Sequence, residues 1–176
     1  MFTKYVALLR GINLGPNNRI SMPALTTLFT EAYCWDVESY IQSGNVVFTA
    51  DLKKAAKIPA AICTQIECQY GFKTHITLRT LPDLQQAWAA NPYPDRDKTY
   101  IGFLANVPTA ERIARLDPNR SPPDQFTVSG REIFLYLPKG LANSKLTNAY
   151  FDSKLKTVIT MRNWRTLQKL LAMMTG

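Results

Sequence analysis

At 176 residues, 46% of them apolar, the chain is long enough to bury a sizeable core and too apolar to be disordered. Its net charge of +8 fits either an anionic partner or a plain solvated surface. No run approaches the roughly 20 apolar residues of a membrane span, and the apolar start is too short for a secretion signal, so a cytoplasmic protein with no membrane partner is expected.

In chain order, "KYVALLR" (4–10) reads as a strand, followed by the loop "LRGINLGPNNRISM" (9–22) with two glycines and three asparagines. The segment 22–33 reads as a helix, with Leu25, Leu28 and Phe29 at helical spacing and Ser21 as cap. Segments 36–42 and 45–50 read as strands joined by a tight Ser43-Gly44 turn. A helix over 59–71, with Ile62, Ile66 and Tyr70 on one stripe, precedes a strand over 73–80. The order is βαββαβ, with a further helix near 82–90.

The segment 91–97, within "NPYPDRDK", is rich in Pro and charge and lacks apolar periodicity, so it reads as the connection between subdomains 1–90 and 98–176. The second half repeats the order: strand 99–106, helix 109–116, a hairpin of 125–129 and 132–138 around Ser129-Gly130-Arg131, helix 144–155, strand 156–160 and a terminal helix 162–174. The expected fold class is α+β, with two ferredoxin-like subdomains, antiparallel sheets and a C-terminal helix. The repeat reads as one of pattern rather than of residue identity.

Several chemistries find no support. Cys34, Cys63 and Cys68 are odd in number and unpatterned, which is no disulfide framework. With His75 the one histidine, no His/Cys metal site is expected. Neither phosphate-loop fingerprint occurs, nor a GxSxG elbow. Ser153 and Lys156 give an SxxK spacing with no partner motif, and Asp95 and Asp97 a lone acidic pair in the Pro-rich loop. An RNA-recognition module would carry an aromatic-rich third strand, and "GNVVFTA" is not one.

"YVALLRGIN", "YIQSGNVVF", "SKL" and "TMRNWRTLQKL" resemble the bacterial family named domain of unknown function 1697. The resemblance runs over nearly the whole chain. It implies a two-subdomain α+β fold and no established activity. Its motif residues fall on Leu9, Arg10, Gly11, Asn13, Gly15 and Asn18; on Gln42, Ser43, Gly44 and Asn45; and on Ser144, Lys145, Thr160, Arg162, Asn163, Trp164 and Leu170. The chain departs at Pro16 and Asn17, where the family has Gly and a basic residue, and at Tyr33-Cys34-Trp35, where Leu-Gly-Phe is usual.

The first loop joins a strand end to a helix start, a common ligand position, and carries Arg10 and Arg19 with no acid between them. Turn formation alone would also explain its Gly and Asn residues. Residues 131–176 hold eight Lys or Arg against two acids, +6 of the net charge. The candidate ligand-binding set is therefore Arg10, Asn13, Asn18, Arg19, Gln42, Asn45, Ser144, Lys145, Thr160, Arg162 and Asn163. Asn13 or Asn18 is expected within reach of Lys145 or Arg162. Thr160 is expected to cap the last helix, with Arg162 and Asn163 in its first turn and an anion between the side chain and the free N–H groups.

Three function classes stay open. One is a binding module for an anionic ligand, nucleotide or nucleic acid. Another is an enzyme on a small phosphorylated or carboxylated substrate, with Lys145 as base if burial depresses its pKa. The third is a protein-interaction domain. No catalytic residue or metal is assigned, and cofactor and oligomeric state are left open.

Overall fold

The computed structural model describes all 176 residues. The elements of the first half are β1 (Phe2–Leu9), α1 (Met22–Glu31), β2 (Trp35–Tyr40), β3 (Asn45–Asp51), α2 (Leu52–Ala55), α3 (Ile58–Tyr70), β4 (Ile76–Thr80) and α4 (Leu81–Ala90). The second half has β5 (Thr99–Leu104), α5 (Ala110–Ile113), β6 (Gln125–Ser129), β7 (Glu132–Tyr136), α6 (Asn148–Leu155), β8 (Ile159–Asn163) and α7 (Trp164–Thr175). The four strands of each half form one antiparallel sheet, ordered β2-β3-β1-β4 and β6-β7-β5-β8. Each half is thus a ferredoxin-like βαββαβ unit. The compact units are Met1–Leu84 with Leu170–Gly176, and Gln85–Lys169. No helix is long and apolar enough to cross a membrane.

In the first unit, Tyr5, Ala7 and Leu9 of β1 join Leu25, Leu28 and Phe29 of α1 and Ile58, Ile62 and Ile66 of α3 in one core. Val6 and Leu8 point to the opposite face and are fully buried too, which is why the central strand reads as an unbroken apolar run. In the second unit the corresponding core joins Leu104, Ile133, Leu135, Ile159 and Met161 of the sheet to Tyr150, Phe151 and Leu155 of α6.

Several boundaries differ from the sequence expectation, each for a local reason. β2 ends at Tyr40, and Ile41–Gly44 form a four-residue turn in place of a tight Ser-Gly one. α5 is a single turn, because Arg115 and Leu116 bond three residues back rather than four. α6 begins at Asn148, capped by the Thr147 hydroxyl, so Lys145 lies ahead of the helix and not in its first turn. Strand β8 runs to Asn163, and α7 starts only at Trp164.

Helix α1 ends in a Schellman motif: Tyr33 N–H donates to Thr30 O at 3.0 Å and Cys34 N–H to Phe29 O at 3.1 Å. The left-handed residue of that motif is Tyr33, at φ 61°. Tyr33 therefore occupies a position that favours glycine.

Candidate functional site

The first loop is held shut by its own asparagines. Asn13 takes φ 54°, a left-handed conformation that Asn tolerates better than most residues. Its amide nitrogen donates to Ile20 O and to Gln42 O, both at 2.9 Å, and its oxygen accepts from Ile20 N at 2.9 Å. Its backbone N–H donates to Asn18 O at 2.9 Å. Asn18, also at φ 54°, donates from its amide to Gly11 O at 3.2 Å. Asn13 thus closes the loop on itself and ties it to the β2–β3 turn, with both amide hydrogens spent.

That turn is built from the other end. Asn45 is fully buried, and its amide donates to Tyr40 O at 2.9 Å and to Ser43 Oγ at 3.1 Å. Gly44 sits at φ 81°, and a Cβ there would lie 2.6 Å from Ile12 Cδ1 and 2.8 Å from Leu9 Cβ. Turn and loop are therefore packed against each other at a point only glycine fits.

The result is a surface cleft of about 310 Å³ lined by Asn13, Arg19, Ile20, Ser21, Gln42 and Tyr70. Arg19, Gln42 and Tyr70 are exposed, and no carboxylate is in the lining. The guanidinium of Arg19, the side-chain amide of Gln42 and the hydroxyl of Tyr70 make no hydrogen bond or ion pair within the protein. Ser21 Oγ accepts from Ala24 N at 3.2 Å, capping α1 at the cleft wall, and its hydroxyl hydrogen is free to donate. The arrangement can offer a cation, an amide and an aromatic ring to one small ligand.

The remaining candidates have other employment. Arg10 continues the sheet: its N–H donates to His75 O at 2.9 Å, and its O accepts from Thr74 Oγ1 at 2.7 Å. Ser144 Oγ accepts from Leu146 N at 3.0 Å, while Lys145 N donates to Ser121 Oγ at 3.0 Å. The Lys145 side chain is exposed, so the burial that would turn it into a base is missing.

The expected anion site at the start of the last helix needs correction. Thr160 is a strand residue, 1% exposed, and caps nothing. Arg162 is also in the strand, 8% exposed, and donates to Met161 O at 2.9 Å. Burial pushes its pKa down to about 10, which still leaves it charged at neutral pH. Asn163 is the true cap of α7, its Oδ1 accepting from Thr166 N at 2.9 Å. Arg165 pairs with Asp97 at 3.2 Å, and buried Trp164 packs against Trp88 with ring planes tilted by 33° and the Arg96 guanidinium 4.9 Å from its ring centroid. Part of the basic excess of residues 131–176 is therefore structural.

Sequence reasoning missed Ser21 and Tyr70 as lining residues. Ser21 was legible only as a helix cap. Tyr70 stands on the stripe of Ile62 and Ile66, yet it is the last residue of α3 before Gly71 (φ 74°) and is 37% exposed. An aromatic at the last turn of a helix, next to its glycine stop, was the available signal.

Fold and cleft together define a tandem ferredoxin-like α+β protein with a polar surface cleft in its first unit. The chain belongs to the family described as protein of unknown function (DUF1697), whose match covers residues 2–134. That match takes in the first loop and the β2–β3 turn and ends before Ser144. The chain is also similar to a solved structure, that of the conserved bacterial protein SP0830 from Streptococcus pneumoniae, with 25% identity, a TM-score of 0.75 and 100% of both chains covered. No curated protein matches it.

Proposed function

We propose that the protein is a binding module for an anionic, phosphate-bearing ligand of the nucleotide or nucleic-acid class, held in the cleft between the first loop and the β2–β3 turn. The observation that carries this is the division of labour among the polar residues. Asn13 and Asn45 are consumed in fixing the cleft, while the side chains of Arg19 and Gln42 that line it are left unbonded. A cleft lined by one guanidinium and no acid favours an anion on local charge alone. Local charge matters here, because residues 85–169 carry most of the basic excess and the cleft lies outside them.

The test is Arg19→Glu. Arg19 is exposed and unpaired, so ligand-free stability should move by no more than about 0.5 kcal/mol. A charge-assisted bond to phosphate contributes about 1.5–3 kcal/mol, so affinity for phosphate-bearing ligands should fall about 10-fold or more. Calorimetric titration with nucleotides and short oligonucleotides reads both classes. A shallow salt dependence marks a nucleotide, a steep one a nucleic acid. Unchanged affinity in Arg19→Glu would sink the proposal.

A further inference from the structure

We infer that the ligand of this cleft is a mononucleotide, its phosphate on Arg19, its base on the Tyr70 ring and the base edge on the Gln42 amide. The inference rests on the anion-binding reading of the same cleft and deepens it. An anion alone asks for nothing beyond Arg19 and a few donors. The lining also holds an aromatic ring at the exposed end of α3 and a free primary amide in the β2–β3 turn.

Each group has a use that a nucleobase combines. A phenol ring offers a π face, and base–aromatic stacking works with any base. A Gln amide presents one donor and one acceptor side by side, the pattern that pairs with the edge of a base. A bare sugar phosphate would leave the Tyr70 ring face without a partner, and beyond Arg19, Gln42 and Tyr70 the lining offers its several hydroxyls one free donor, the Ser21 hydroxyl, beside buried Ile20 and the committed Asn13 amide. The size agrees. A cleft of about 310 Å³ is at the lower end of small-ligand sites, enough for one nucleotide. Rigidity agrees as well, since Gln42 is anchored through its backbone carbonyl by Asn13 while its side chain stays free.

The experiment is calorimetric titration of the full chain with adenosine monophosphate, ribose 5-phosphate and inorganic phosphate. The nucleotide is expected to bind about 10-fold more tightly than ribose 5-phosphate, the contribution of one stacked base. Tyr70→Leu should erase that advantage and leave ribose 5-phosphate affinity unchanged; Tyr70→Phe should keep it. Gln42→Leu, at an exposed turn position, provides an independent variant and should also weaken the nucleotide alone. If the nucleotide and ribose 5-phosphate bind equally, or if Tyr70→Leu lowers both alike, the base-recognition inference is overturned while the anion site stands. If none of the three binds, the anion reading itself falls.

Discussion

Strand β4 reads Ile-Thr-Leu-Arg-Thr and strand β8 reads Ile-Thr-Met-Arg-Asn. Continued into the helices that follow, residues 76–85 and 159–168 share Ile, Thr, Arg, Leu and Gln at equivalent positions, so this part of the repeat is one of residues and not of pattern alone. The parallel extends to bonding. Arg79 Nη1 donates to Leu78 O and Arg162 Nη1 to Met161 O, both at 2.9 Å. Arg79 faces Val6 across the sheet and Arg162 faces Ile101, and both guanidinium side chains are buried. The first loops differ instead. Between β1 and α1 run 12 residues that build a cleft, whereas between β5 and α5 run only five. The strand–helix module with its buried arginine is common to both units, and the candidate binding feature is the part the second unit does not repeat.

The largest expected effect tests the shared module. Each arginine is a charge held in a buried site by hydrogen bonds, and truncating such a group leaves its partners unpaired, at about 3–5 kcal/mol. Arg79→Ala and Arg162→Ala should therefore both destabilise by about that amount in urea unfolding. A loss below about 1 kcal/mol at either position, typical of a surface residue, would break the equivalence. The same reasoning predicts that a carboxylate at position 162 is severely destabilising, the opposite of what a surface anion site at a helix start would give.

The helix caps distinguish the two copies more finely. Thr80 and Asp83 form a reciprocal box: Asp83 Oδ2 accepts from Thr80 N at 2.8 Å, and Thr80 Oγ1 accepts from Asp83 N at 3.4 Å. Asn163 makes only the forward bond to Thr166 N. Thr80→Ala and Asn163→Ala should each cost about 1 kcal/mol, with the box the more sensitive. Asn163→Asp should be neutral or stabilising, since it keeps the bond and adds a negative charge at the positive helix end. Thermal unfolding reads all three, and a stability loss in Asn163→Asp would show that Asn163 does more than cap.

Element order was legible because apolar periodicity is strong in β1, β3, α1 and α3, and because Gly71 and Gly130 mark real turns at φ 74° and 58°. The β8–α7 boundary was not legible. Thr160 is a good cap by residue type, so it masked Asn163, three residues later, which caps as well. Reading Arg162 into a helix then hid its match to Arg79, because a buried charge in a strand centre contradicts the usual burial preference. Of the residues lining the cleft, Asn13, Arg19 and Gln42 were already candidates in the sequence, yet which of them is spent and which is free depends on bonds spanning 29 residues. No local pattern encodes that.

The smallest expected effect concerns the two threonines that precede the arginines. Thr77 stands opposite Leu8 and Thr160 opposite Phe103, 3% and 1% exposed, and neither hydroxyl has a hydrogen-bond partner. A buried hydroxyl without a partner costs free energy, and Val has almost the same shape and the same β-branched preference for strands. Thr77→Val and Thr160→Val should each raise stability by about 0.5–1 kcal/mol, a gain of about 1–4 °C in thermal midpoint. Equal gains would mean that the hydroxyls share one role in the two units and contribute nothing to folding. A loss at both would point to a buried water completing each hydroxyl. A gain at one and a loss at the other would show that the two modules, alike in sequence and backbone, differ in what fills the space beside their arginines.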